Sequence, residues 1–165
     1  MSLGSRERHA HNLIADVLLA QGRVQLRATG LSMLPTLWPG DVVTIESTGL
    51  AHIENGDLLA YARQDRLYIH RLVNRLAAPE GELLVTRGDC MSKQDPAVRP
   101  QELLGKVTAI TRGNRTLQAD RNVGTGTRFC AWMLCHCDLL VRLALYFRKF
   151  DREPQIVPGE AASQA

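Results

Sequence analysis

The chain is poor in several features that would decide its class at once. Aromatic residues make up 5% of its 165 residues, and lysine and arginine are not gathered into a stripe with aromatics between them. A nucleic-acid surface of the usual basic kind is therefore not expected. The net charge of +3 is small and spread along the chain, allowing at most a weak attraction to anionic membrane surfaces. The apolar run from Leu13 to Ala20 is short and broken by Asp16, so it is not expected to span a bilayer. No charged-then-apolar secretion signal opens the sequence, and no internal repeat appears. Cysteine is sparse. Cys90 stands alone, whereas Cys130, Cys135 and Cys137 crowd into one late apolar segment, so reduced thiols are expected. Cys135-His136-Cys137 lacks a second ligand pair at zinc spacing, and neither a metal nor a cofactor is expected.

What is there suffices for one domain with tails, since 45% apolar content can form a core. Residues 1–22 are expected to carry an amphipathic helix, with Leu13, Ile14, Val17 and Leu18 on one face and Gly22 as its end. Residues 23–120 read as a β-rich domain. Its strands are expected over 23–28, Val42 to Glu46, Leu58 to Arg63, Arg66 to Leu76 and Glu82 to Arg87, with a last hairpin over 103–111 and 115–120. Many short strands between turn residues imply a mainly β, coiled sheet with flanking helices rather than a parallel α/β sheet. Residues 121–150 read as a connector and an amphipathic C-terminal helix, and 151–165 as a disordered tail. Asp138 and Arg142 fall mid-segment in 129–150, which suits a helix lying on a membrane or docked on protein better than one crossing a bilayer.

Chemistry concentrates in Gly30-Leu31-Ser32-Met33-Leu34-Pro35-Thr36. Gly30 permits backbone angles closed to other residues, and Pro35 disfavours helix in Leu34. Such a turn can hold the Ser32 hydroxyl at the surface. A serine needs a base to become a nucleophile, and His70, in Ile69-His70-Arg71-Leu72-Val73, is the convincing one. His9, His11, His52 and His136 have no comparable context. A third stretch, Arg87-Gly88-Asp89-Cys90 with Asp95 beyond it, supplies carboxylates. The dipeptides Gly40-Asp41 and Gly56-Asp57 read as turns.

These three stretches, in this order, resemble the type I signal peptidase family of serine proteases over about residues 28–112. The first is similar to the family's Ser-Met-x-Pro box. The second resembles the base box of the branch that uses histidine where most bacterial members carry lysine. The third resembles the Gly-Asp box with its trailing acid. The resemblance implies the coiled-sheet fold shared by signal peptidases and LexA-like proteins. It also implies Ser32 as nucleophile, His70 as general base and Asp95 as the acid that orients it, with Asp89 a nearby structural or catalytic carboxylate. It further implies that Met33 and Leu34 line the substrate groove. The expected activity is that of a serine endopeptidase acting on a leader or precursor peptide. The place of action would be cytoplasmic or peripheral to the cytoplasmic membrane, with membrane contact through 129–150. Family members usually carry an N-terminal membrane anchor, and this sequence departs from them there. The competing readings are a LexA-like self-cleaving regulator and a catalytically silent β-rich binding module. The first of these meets a histidine where lysine is usual and only 28 residues before the serine box.

Overall fold

The computed structural model describes residues 13–79, 81–119 and 121. A helix, α1, covers residues 13–21, and seven strands follow: β1 (Arg23–Arg27), β2 (Val42–Glu46), β3 (Leu58–Arg63), β4 (Arg66–Ala78), β5 (Gly81–Arg87), β6 (Leu103–Arg112) and β7 (Arg115–Gln118). They form one sheet in the order β1-β2-β6-β3-β4-β5, with β7 added to β6. Every pairing is antiparallel. The protein is thus mainly antiparallel β-sheet with one helix among the described residues.

Period-two patterning explains the strands. In β2, Val43 and Ile45 are buried and alternate with half-buried Val42 and Thr44. β3 breaks the alternation with a continuous buried run, Leu58, Leu59, Ala60 and Tyr61, because both of its faces are covered. Leu58 and Ala60 join a cluster with Leu18, Met33, Leu37, Val43, Ile45, Val107 and Ile110. Leu59 and Tyr61 join a second with Ile53, Leu72, Leu84 and Val98. Register shifts between Thr44 and Ile45, Ala60 and Tyr61, and Leu72 and Asn74 bend the sheet where these pairings meet.

The expected strands appear, with ends moved by a residue or two where hairpin pairing runs on to the turn. β4 and β5 pair as far as Ala78 and Gly81, beyond the expected limits of Leu76 and Glu82. The helix ends at Gly22, whose φ of 71° and amide bond to the Leu18 carbonyl (2.9 Å) make a left-handed cap. Its packing face is narrower than expected. Leu18 is buried and Ile14 packs beside it, while Leu13 faces solvent at 63% exposure. Among the described residues no helix is long and apolar enough to cross a membrane. The expected helix over 129–150 and the tail over 151–165 lie outside the described residues.

Candidate active site

The serine turn is built from below. Leu34 and Leu37 are fully packed and Met33 is 3% exposed, so the residues after Ser32 anchor the turn in the core. The Met33 carbonyl accepts the Leu37 amide (2.9 Å), and the Leu31 carbonyl accepts that of Leu34 (3.2 Å). The Leu34–Pro35 peptide is cis. Met33 and Leu34, which the resemblance implies for the substrate groove, are thus both buried side chains. Their side chains fill the space beneath the turn, and the Met33 sulfur receives the Asp89 amide (3.4 Å). The apolar side chains open to solvent here are Leu31 at 44% and Met91 at 48%.

Ser32 reaches His70. Ser32 Oγ lies 2.9 Å from His70 Nε2, and His70 Nδ1 lies 2.6 Å from Asp95 Oδ2. A carboxylate only accepts, so Nδ1 carries the hydrogen and Nε2 is left as the acceptor facing the serine hydroxyl. His70 comes from the middle of β4 and is buried, with one ring edge closed by Tyr61 and Tyr68 at centroid distances of 6.2 and 6.0 Å. Asp95 comes from the loop after β5, where its amide bonds the Thr86 carbonyl (2.8 Å).

Asp89 is placed differently. Arg71 clamps it with two parallel bonds, Nε to Oδ1 and Nη2 to Oδ2, both 2.8 Å. The Thr36 hydroxyl donates to the same carboxylate, and Arg71 Nη1 continues to the Gly56 carbonyl (2.7 Å). Both side chains are under 10% exposed (9% and 8%). Of the two candidate acids, Asp95 therefore meets the imidazole and Asp89 is held in an ionic clamp.

The loop carrying both aspartates is pressed against the serine. The Cys90 amide donates to the Ser32 carbonyl (2.8 Å). A Cβ on Gly88 would stand 2.6 Å from that carbonyl oxygen and 3.1 Å from the Ser32 Cβ, so only glycine fits. Cys90 itself is disulfide-bonded, which corrects the expectation of reduced thiols. The other cysteines, Cys130, Cys135 and Cys137, lie outside the described residues.

Two residues beside this array carry no motif. Thr86, on β5, is fully buried and its hydroxyl donates to Asp95 Oδ2 (2.8 Å). The Tyr61 hydroxyl stands 3.4 Å from both Thr86 Oγ1 and His70 Nδ1. Burial pushes the Tyr61 phenol up to about 12, with the Thr86 hydroxyl opposing and the Asp95 charge adding to the rise. Strand register could have found both. Leu59 pairs with His70 and Leu72 with Thr86, so alternation puts Tyr61, His70 and Thr86 on one face.

The other Gly-Asp dipeptides make turns, as expected, and more. Asp41 caps the Trp38 amide (2.9 Å) and binds Arg112, whose Nη2 also holds the Thr36 carbonyl (2.9 Å). Asp57 caps the Glu54 amide (2.9 Å) and binds Arg121 (2.6 Å) and Lys106 (3.3 Å). Burial raises the Asp57 carboxyl, but the Glu54 amide, Arg121 and Lys106 together bring it below its ordinary value. Lys106 is thus engaged with Asp57 rather than aimed at Ser32. A pocket lined by Arg63, Gln64, Ala97, Arg99 and Glu102 contains none of the array. Arg63 there is taken by Glu102 and the Pro96 and Ala97 carbonyls. Among the described residues no cluster of three or more His, Cys, Asp or Glu side chains could hold a metal. No model of a known protein family matches this chain, and no curated protein matches it.

Proposed function

We propose that the chain is a serine endopeptidase of the signal-peptidase kind, cleaving a leader or precursor peptide. The observation that carries the reading is the continuous array Ser32 Oγ, His70 Nε2, His70 Nδ1, Asp95 Oδ2, with links of 2.9 and 2.6 Å. Three groups of the right type, from three separate segments, meet in the order that nucleophilic acyl transfer requires.

The chemistry follows from the proton positions. Ser32 Oγ attacks the peptide carbonyl carbon while Nε2 takes its hydrogen. The imidazolium so formed is stabilised by Asp95, which also fixes the tautomer that leaves Nε2 free. Nε2 then gives the proton to the departing amine, and an acyl-serine ester remains. Water, deprotonated by the same nitrogen, hydrolyses that ester and restores the serine. The Ser32 backbone amide, or those beside it, would meet the developing oxyanion. The loop behind the serine supports this step through the neighbouring amide, because Cys90 already holds the Ser32 carbonyl and so fixes the plane of the Ser32–Met33 peptide that carries the Met33 N–H. Leu31 and Met91, the exposed apolar side chains at the turn, would meet the substrate's apolar side chains.

The test needs no known substrate. A fluorophosphonate should acylate Ser32 in the full-length chain, as identified by peptide mass spectrometry, and Ser32→Ala and His70→Ala should take no label. A folded wild-type chain that stays unlabelled would favour the silent binding module. A chain that cuts only itself in the absence of any added peptide would favour the LexA-like alternative. A proteome-wide comparison of protein N-termini in cells with and without Ser32 would then name the substrate.

A further inference from the structure

We infer that Thr86 is a positioning residue for the Ser32–His70–Asp95 array, backed by Tyr61. This inference rests on the peptidase reading and adds two residues to it.

Asp95 sits on a loop, and its side chain is 20% exposed. A carboxylate so placed can rotate towards water unless something turns it inward. Thr86 fixes it at two points. Its carbonyl accepts the Asp95 amide (2.8 Å), which sets the backbone, and its hydroxyl donates to Oδ2 (2.8 Å), which sets the carboxylate. Oδ2 is the same oxygen that receives His70 Nδ1–H (2.6 Å). Two donors converging on one oxygen leave the carboxylate little freedom to turn.

Donor counting assigns the protons. Thr86 has one hydroxyl hydrogen, and the short contact gives it to Asp95, so its oxygen remains an acceptor. The longer Thr86–Tyr61 contact (3.4 Å), with Thr86 on the donor side, is a minor branch of the same hydrogen, and the neutral Tyr61 phenol turns its own hydrogen to the Asp95 carboxylate. Nδ1 cannot accept it, because that nitrogen already carries a hydrogen. Thr86, Tyr61 and His70 Nδ1 therefore all turn a hydrogen to the Asp95 carboxylate, and the imidazole carries the row on to Ser32. Thr86 is fully buried, so a hydroxyl serving only solubility has no place in it. Valine would fill the same volume.

The test uses the full chain, with Thr86→Val, Thr86→Ser and Tyr61→Phe. Loss of one hydrogen bond on the orienting acid should slow fluorophosphonate labelling of Ser32 in Thr86→Val by about tenfold. On a peptide substrate the loss should fall on kcat with KM nearly unchanged. Thr86→Ser, which keeps the hydroxyl, should label at close to the wild-type rate. Tyr61→Phe should slow labelling by about threefold. In one-dimensional proton NMR, the low-field Nδ1–H resonance should move in Thr86→Val and stay in place in Thr86→Ser. Wild-type labelling and an unmoved resonance in folded Thr86→Val would overturn the inference and leave the peptidase reading intact. If Thr86→Val does not fold, Tyr61→Phe decides: slowed labelling supports the row and an unchanged rate overturns it. A wild-type chain that takes no label removes the peptidase reading instead, and the NMR resonance still decides whether Thr86 holds the pair.

Discussion

Asp89 and Asp95 belong to one loop, carry the same carboxylate and face neighbouring residues of β4, yet their surroundings differ in kind. Asp89 meets a guanidinium in a two-pronged, nearly dry pairing, with a threonine hydroxyl on the same carboxylate. Asp95 meets an imidazole and a hydroxyl and keeps an edge to solvent. A permanently charged partner makes a fixed support. A partner that can gain and lose a proton makes a site where protons move. The comparison teaches that the role of each aspartate is set by what the strand opposite presents, not by its own loop.

The comparison breaks most visibly at its reacting end. His70→Ala should lower turnover by at least ~10²-fold, and Ser32→Ala should abolish it, with folding retained in the serine variant. Full activity in Ser32→Ala would remove that end altogether. Next, Asp95→Asn should cut turnover by ~10²-fold or more while the melting temperature stays nearly fixed. Asp89→Asn should do the reverse. It leaves Arg71 buried without its counter-charge, which costs about 3–5 kcal/mol. A Tm lower by roughly 10–20 °C is expected for a domain of this size. Calorimetry and labelling rates on the two variants sort the roles, and an exchange of the two patterns would exchange them.

The smallest effect calibrates the comparison with an ion pair away from the serine. The Arg63 guanidinium holds the Glu102 carboxyl below its ordinary 4.5, against the opposing effect of burial. A carboxylate lowered in the folded state stabilises above its unfolded value, and that contribution is lost as pH falls through the folded value. Glu102→Gln should therefore cost about 1 kcal/mol or less near pH 7 and nothing once both states are protonated. A penalty that persisted at acid pH would mean the pair acts by packing alone.

Much of this was legible in the sequence, for stated reasons. Turn residues locate Val42–Glu46 and Leu58–Arg63 to the residue, because Gly40-Asp41 and Gly56-Asp57 mark where they start, and in the first of them period-two burial agrees. The serine turn, the histidine and the acids could be named because each lies in a compact local pattern. What escaped depends on contacts across the sheet. Thr86 and Tyr61 look like ordinary strand residues until register places them beside His70. Gly40-Asp41 and Gly56-Asp57 read as turns, but Asp41 and Asp57 also take distant arginines, Arg112 and Arg121, as Asp89 takes Arg71. The burial of Met33 and Leu34 was not legible either, because a box that surrounds a nucleophile says nothing about which of its side chains point down.

The adjacency of His70 and Arg71 on β4 has a consequence for errors in folding. Successive strand residues point to opposite faces, so one strand supplies both the imidazole for Asp95 and the guanidinium for Asp89. A hairpin formed one residue out of step would turn both over together. The arginine would lose its carboxylate in the same event that parts Ser32 from His70. A misregistered chain would therefore lose the buried ion pair and the Ser32–His70 contact together.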